Sequence, residues 1–161
     1  MTWMERVRES QHRFRDQVRA NALEEGGLQP VVFLFGRETV APVVMAEAMG
    51  PEEIYSATDQ LAREMGAEAG ILAFEMLARR TDTPEVFREL IEEGAMRPPS
   101  ESGDRKPAIL WHRFAGGQTE TELDVYENGQ WRSHGTRRIE NSPVKYFRKG
   151  PASPLRPIRQ S

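Results

Sequence analysis

The sequence contains no cysteine, no long apolar run and only three histidines, and each scarcity excludes a class of chemistry. Without cysteine there is no disulfide, no thiolate nucleophile and no Cys-ligated metal, which is consistent with a reducing compartment. No segment approaches the roughly 18 apolar residues that a membrane-spanning helix needs. Residues 1–15 are charged throughout and lack an apolar core, so we expect no signal peptide and a cytoplasmic protein with no membrane contact.

Recognisable catalytic and cofactor motifs are also missing. His12, His112 and His134 are far apart in the sequence, and none has a partner at the spacing of a zinc site. There is no G-x-S-x-G, no phosphate-binding glycine loop and no dinucleotide fingerprint. We therefore expect no cofactor, and our leading hypothesis is a non-enzymatic accessory or protein-interaction protein.

The length and composition predict one folded domain with a polar end. A chain of 161 residues with 38% hydrophobic residues and a mean hydropathy of -0.64 is consistent with a single modest core. We place this domain at residues 1–149. Residues 150–161 are rich in proline and arginine and have the composition of a flexible tail.

The net charge of -3 conceals a strong asymmetry along the chain. Residues 130–161 hold eight Lys or Arg and one acid, a net charge of +7, and the preceding residues carry -10. Such a basic end favours binding to a polyanion or to the acidic body of a second copy, although a solvated tail is the alternative. The candidate binding residues are Arg132, Arg137, Arg138, Lys145, Arg148 and Lys149.

The N-terminal half of the sequence predicts helices alternating with strands. Apolar residues recur every three to four positions over residues 3–24, which indicates a helix. Residues 30–36 and 39–45 predict a hairpin, and Pro42 places the second strand at an edge because it has no N–H to donate. Pro51 and Gly66 bound a second helix over residues 50–66.

The middle and C-terminal regions predict a further helix and an antiparallel meander. Residues 67–80 are compatible with a helix or a buried central strand, and we favour the strand. A helix is expected over 81–94, and strands over 107–114, 119–129 and 130–139, with a last strand at 143–150. The result is an α+β fold: a mostly antiparallel sheet of five to six strands, with an N-terminal helix and two further helices packed on one face.

Strand alternation places Glu120, Glu122 and Asp124 on one face of a strand. Three carboxylates in this arrangement could hold Mg²⁺, which would support a small metal-dependent hydrolase or nuclease. The alternative is that they form the solvent face of a half-buried sheet.

Three further residues are candidates for catalysis. Glu75 interrupts the apolar run 71–77, so its carboxyl is either paired with an arginine or functional. His112 alternates with apolar residues and is either a core histidine or a catalyst. Glu101 lies in the loop 96–110, which connects the predicted helix 81–94 to the meander, and it either pairs locally or lines a site beside Glu75.

Aromatic residues and cations are interleaved on the C-terminal strands. This pattern favours base stacking and phosphate binding, or alternatively ordinary cross-strand pairs. The residues are Trp111, Tyr126, Trp131 and Tyr146 among Arg113, Arg132, Arg137, Arg138 and Lys145. A nucleic-acid-binding module is therefore a further alternative. In the tail, "PLRPIR" (154–159) matches the polyproline-II recognition pattern P-x-x-P-x-R.

The stretches "AGILAFEMLARR" and "MRPPSESGDRKPAILWHRF" resemble parts of small uncharacterised α+β proteins of bacteria and their phages. In those proteins a strand ending in an acid is followed by a Pro-Ser-Glu loop with basic residues and then an antiparallel hairpin. The corresponding positions here are Glu75, Pro99, Ser100, Glu101, Arg105 and the strand from Pro107. The resemblance covers about a third of the chain and implies a bacterial or phage accessory protein, without implying a reaction.

Overall fold

The computed structural model describes residues 2–24, 27–36, 40–45, 50–79 and 105–148. Six strands form one antiparallel sheet in the order β2-β1-β3-β4-β5-β6, so the α+β class and the antiparallel sheet are confirmed. The elements are α1 (Trp3–Ala22), β1 (Val31–Phe35), β2 (Val40–Val44), α2 (Pro51–Met65), β3 (Ala69–Arg79), β4 (Arg105–Ala115), β5 (Gln118–Glu127), β6 (Gln130–Ile139) and a 3-10 helix (Lys145–Arg148).

Local sequence signals explain where the two α-helices begin and end. Thr2 and Glu5 form a capping box, in which each side chain accepts a hydrogen bond from the other residue's backbone N–H. Helix α2 begins with Pro51 and ends at Gly66, whose φ of +64° is the left-handed conformation that glycine adopts at low cost.

The ambiguous segment 67–80 is a strand, as predicted. β3 lies between β1 and β4 at the centre of the sheet, and its apolar residues from Ala69 to Phe74 are buried. The predicted hairpin is also present, with Val31 opposite Val44, and β2 is an edge strand as Pro42 required.

The two helices lie against opposite faces of the sheet, so the expectation of helices on one face is wrong. Alternate residues of the central strands point to different sides and join two separate cores. The core on the α1 face includes Trp3, Val7, Val18, Phe33, Phe35, Ile71 and Trp111. The core on the α2 face includes Ile54, Ala62, Val32, Leu34, Leu72, Leu110 and Phe114.

Where a last strand was predicted, at 143–150, Lys145–Arg148 form the short 3-10 helix instead. Val144 and Phe147 are both buried in the α2-face core, and a spacing of three residues puts them on one side of a 3-10 helix but on opposite sides of a strand. The Ser142 hydroxyl accepts a hydrogen bond from the Val144 N–H at 3.1 Å, which fixes the entry to this helix.

Several predictions fall outside the described residues. They concern the helix at 81–94, the connecting loop with Glu101, and the tail 150–161. Two α-helices are therefore observed within the described ranges, where the sequence predicted three for the chain. Neither of these two is both long enough and apolar enough to cross a membrane.

Candidate functional site

The three carboxylates of β5 are buried beneath α1. Glu120, Glu122 and Asp124 share the α1 face of the sheet, with 4%, 5% and 0% of their surface exposed. Strand alternation correctly predicted that they share a face. The alternative that this face is solvated is wrong, because α1 covers it.

Arg113 on β4 lies at the centre of these carboxylates and is 3% exposed. Its Nε donates to Glu120 Oε2 at 3.0 Å, and its Nη1 lies 2.7 Å from Glu122 Oε1. The same Nη1 donates to Gln11 Oε1 at 2.6 Å, and Nη2 donates to Thr136 Oγ1 at 3.1 Å. One buried guanidinium thereby joins β4, β5, β6 and α1.

Helix α1 supplies three more arginines to the same carboxylates. Arg8 pairs with Glu120, Arg15 Nη1 lies 2.8 Å from Glu122 Oε2, and Arg19 donates two hydrogen bonds of 3.0 Å to Asp124. With Gln11, these residues recur every three to four positions and form a polar stripe beside the apolar stripe of the helix. That spacing is the sequence signal for their shared role, and the apolar stripe on the same helix masks it.

Neutral donors complete the cluster. The Trp111 indole Nε1 donates to Asp124 Oδ2 at 3.0 Å, and the Ser133 hydroxyl donates to Glu122 Oε2 at 2.7 Å. We call this whole set the ion-pair network. It comprises Arg8, Gln11, Arg15, Arg19, Trp111, Arg113, Glu120, Glu122, Asp124, Ser133 and Thr136.

The ion-pair network favours the ionised form of Glu120 and Glu122. Burial alone would raise the pKa of Glu122, but the hydrogen bonds from Arg113, Ser133 and Arg15 outweigh burial and lower the pKa to about 2. The pKa of Glu120 is likewise lowered, because Arg8 and Arg113 outweigh the effect of its burial. Within the described ranges, no three His, Asp or Glu side chains are arranged to hold a metal ion.

His112 lies on the α2 face inside an aromatic cluster and is fully buried. Its Nε2 is 2.9 Å from the Tyr55 hydroxyl, and its ring stacks on Phe74 and Phe114. Burial lowers the pKa of His112 to about 3, so the ring is neutral at pH 7. No hydrogen-bond partner for its Nδ1 lies among the residues that the structure describes.

Glu75 is half-buried on the α1 face, opposite to the side of His112, so the sheet separates these two catalytic candidates. Its Oε2 accepts a hydrogen bond from the Leu28 N–H at 2.8 Å. Burial raises the pKa of the Glu75 carboxyl, and this hydrogen bond only partly offsets the rise. The third candidate, Glu101, lies outside the described residues.

The candidate polyanion-binding residues are divided between the two faces of the sheet. Arg132 and Arg137 lie opposite Val125 and Thr121, and Arg138 lies opposite Glu120 on the other face. Lys145 and Arg148 are exposed on the 3-10 helix, and Lys149 is outside the described residues.

The candidate stacking aromatics are not brought together on one open surface. Trp111 is fully buried, and Tyr126 packs against Trp131 with ring centroids 5.4 Å apart. Tyr146 belongs to the 3-10 helix, where its hydroxyl donates to the Ala67 carbonyl at 2.8 Å.

A half-open groove of about 470 Å³ lies between the C-terminal half of α1 and the β1–β2 edge of the sheet. The stacked rings of Phe14 and Phe33, with centroids 4.4 Å apart, form part of its lining. Val18, Val31 and Val44 add aliphatic surface, and Gln17, Asn21 and Glu24 supply polar groups from α1 and the residues after it. We call this feature the edge groove.

The edge groove adjoins the exposed apolar side of β2. Val40 and Val44 are 40% and 61% exposed, and with Pro42 they lie on the α1 face, opposite Phe35, Val31 and Phe33. This surface could not be found from the sequence, because periodicity alone does not show which side of an edge strand remains uncovered.

Comparison of the chain with protein-family models, with curated proteins and with solved structures gives no match.

Proposed function

We propose that this chain is a non-enzymatic protein-interaction protein that associates with copies of itself, and that the edge groove is its contact surface. The observation that carries the proposal is the exposure of Val44 at the mouth of a groove that contains the stacked rings of Phe14 and Phe33. Large aliphatic side chains scattered singly on a surface are ordinary, whereas a cleft that combines aromatic and aliphatic surface with a few polar groups is typical of a binding surface.

Contact through side chains fits this edge better than addition of another strand. The Met45 N–H donates to the Pro30 carbonyl at 2.8 Å, so alternation turns the backbone polar groups of Val40, Pro42 and Val44 away from β1. Pro42 has no N–H, and its ring occupies the place where a pairing strand would lie. Such a proline protects an edge against open-ended strand pairing, while the side-chain face of β2 stays accessible.

The alternative of a metal-dependent hydrolase or nuclease receives less support. It needs Glu120, Glu122 and Asp124 to coordinate Mg²⁺, and each of these carboxylates is engaged by at least two donors of the ion-pair network. The nucleic-acid alternative needs one basic and aromatic surface, and its residues lie on both faces. A bacterial or phage origin and a cytoplasmic location remain expectations from the sequence.

Sedimentation velocity of the wild-type chain and of Val44→Asp tests the proposal. A carboxylate at the mouth of the groove opposes burial of an apolar partner, so association should weaken at least tenfold. Gln60→Asp, on the exposed side of α2, is the matched control and should associate like the wild type. A wild-type chain that remains monomeric up to about 1 mM, the lower end of specific affinity, contradicts the proposal.

A further inference from the structure

We propose that the edge groove binds residues 154–159 of a second copy of the chain. This inference rests on the proposed function, because it names the segment that occupies the same groove. Residues 154–159 read "PLRPIR" and lie in the basic tail, outside the described residues.

The tail segment combines the side chains that a groove with aromatic and aliphatic surface and a glutamate, Glu24, in its lining would select. In a polyproline-II helix three residues make one turn, so residues three apart share a side. Leu155 and Ile158 then form one aliphatic side, and Arg156 and Arg159 form a basic one. Aromatic-lined grooves are the usual receptors for such segments, because little chain entropy is lost when a preformed helix binds.

The dimensions of the segment and the groove agree. Leu155 and Ile158 are separated by one polyproline-II turn, about 9 Å along the axis. The groove-lining residues of α1 extend from Phe14 to Asn21, a separation of seven positions that rises about 10 Å along the helix. The spacing of the two aliphatic side chains therefore matches the length of the groove along α1.

Charge favours the same pairing. Glu24 lines the groove at its α1 end, where it can accept hydrogen bonds from a guanidinium. At the level of the whole chain, the tail 150–161 carries +2, from Arg156 and Arg159, and the remaining residues carry -5. The end of one copy is thus attracted to the body of another, and this attraction should weaken as salt is added.

The position of Arg148 indicates that the bound tail comes from a second copy. The ring of Phe147 stacks on Phe114 in the α2-face core, whereas the groove opens on the α1 face. Five residues lie between Arg148 and Pro154, and the six steps from one to the other reach about 19 Å as polyproline II. Within that reach, the tail of the same copy would have to pass around the sheet from the α2 face, whereas the tail of a second copy can approach the α1 face directly.

A complementation experiment with full-length chains tests this inference. Leu155→Asp/Ile158→Asp removes the aliphatic side of the tail and leaves the groove intact, whereas Val44→Asp damages the groove and leaves the tail intact. Each variant alone should associate at least tenfold more weakly than the wild type in sedimentation velocity. An equimolar mixture should recover association, because the intact tail of one variant binds the intact groove of the other. Ser153→Asp/Gln160→Asp adds the same charge outside 154–159 and should behave like the wild type.

The outcomes separate the two proposals. If Val44→Asp weakens association but the tail double variant does not, the groove is a contact surface with another occupant, and this inference is overturned. It is also overturned if the mixture fails to associate. If the wild type itself does not associate, the proposed function fails. Circular dichroism confirms that each variant is folded, and Val44→Gln replaces Val44→Asp if the acid perturbs the fold.

Discussion

Arg113 on β4 and Glu122 on β5 form a diagonal ion pair between neighbouring strands, with Arg113 Nη1 2.7 Å from Glu122 Oε1 and less than a tenth of either side chain exposed. Two charges so far from water are tolerated only when each has several partners, and both have them in the ion-pair network. The pair therefore constrains how α1 and β6 lie relative to the strands between them.

Replacing Arg113 with methionine should destabilise the protein by about 3–5 kcal/mol, because Glu120 and Glu122 lose their shared buried cation. Urea unfolding followed by circular dichroism measures this change. Arg13→Ala is the control: Arg13 is 72% exposed and pairs with Glu9 at 3.3 Å on the same helix, so we expect a loss below about 0.5 kcal/mol. If both variants lose the same free energy of unfolding, the ion-pair network does not stabilise the fold more than an exposed ion pair does.

Stability should fall as the pH is lowered from 7.5 to 5.5, because His112 is held neutral in the fold. Its folded pKa of about 3 lies below the ordinary value of about 6.5, so protons bind preferentially to the unfolded chain. The stabilising contribution is complete above pH 6.5 and is lost as the pH falls toward 3. Between pH 7.5 and pH 5.5, the free energy of unfolding should drop by about 1.5 kcal/mol.

The variant His112→Phe isolates this effect. The phenyl ring fills a similar volume against Phe74 and Phe114, and it has no proton to bind. Denaturant unfolding at both pH values should show a smaller pH dependence than in the wild type, even though the Tyr55 hydroxyl loses its contact with the His112 Nε2. Tyr55→Phe, which retains the imidazole, should keep the wild-type pH dependence. If the stability of His112→Phe depends on pH as strongly as that of the wild type, other titratable groups are responsible for the pH dependence.

The sequence predicted those parts of the fold that depend on neighbouring residues. Pro51 and Gly66 marked the ends of α2, and Pro42 marked an edge strand, because each acts through its own backbone conformation. The shared face of Glu120 and Asp124 followed from alternation alone.

Pairings between distant parts of the chain could not be predicted in this way. Arg8 and Glu120 are 112 positions apart, and only the docking of α1 onto β5 brings them together. The separation of Glu75 from His112 depends on the register of β3 and β4, in which Leu72 lies opposite His112 and Glu75 opposite Ile109. A shift of one residue would have placed the two candidates on the same face.

Gly27→Ala should be more destabilising than Gly66→Ala. Both glycines have a positive φ, of +73° and +64°, and share the conformational cost of about 1 kcal/mol that a side chain adds there. At Gly27 the new Cβ would also lie 2.2 Å from Glu75 Oε2, whereas nothing lies within 4 Å at Gly66. Moving Glu75 breaks its hydrogen bond to Leu28, which adds about 1 kcal/mol.

Removing the carboxylate tests this explanation directly. In a Glu75→Ala background the added methyl group at Gly27 meets no carboxylate, so the cost of Gly27→Ala should fall to that of Gly66→Ala. Thermal unfolding of the wild type, Gly27→Ala, Glu75→Ala and the double variant completes a double-mutant cycle. A cost at Gly27 that does not change in the Glu75→Ala background would show that strain at φ alone accounts for it.

Addition of 10 mM Mg²⁺ or Mn²⁺ should change the melting temperature by less than about 1 °C, because arginines already neutralise the carboxylates of the ion-pair network. A metal site with a dissociation constant near 0.1 mM would instead stabilise the fold by about 2.7 kcal/mol. For a chain of this size, that corresponds to roughly 5–10 °C. NaCl at matched ionic strength corrects for screening of the ion pairs. Glu122→Gln is the control, because it lacks the carboxylate whose pKa of about 2 reflects its pairing with arginine. A rise of several degrees in the melting temperature that is specific to the divalent ion and absent in this variant would restore the metal-dependent alternative.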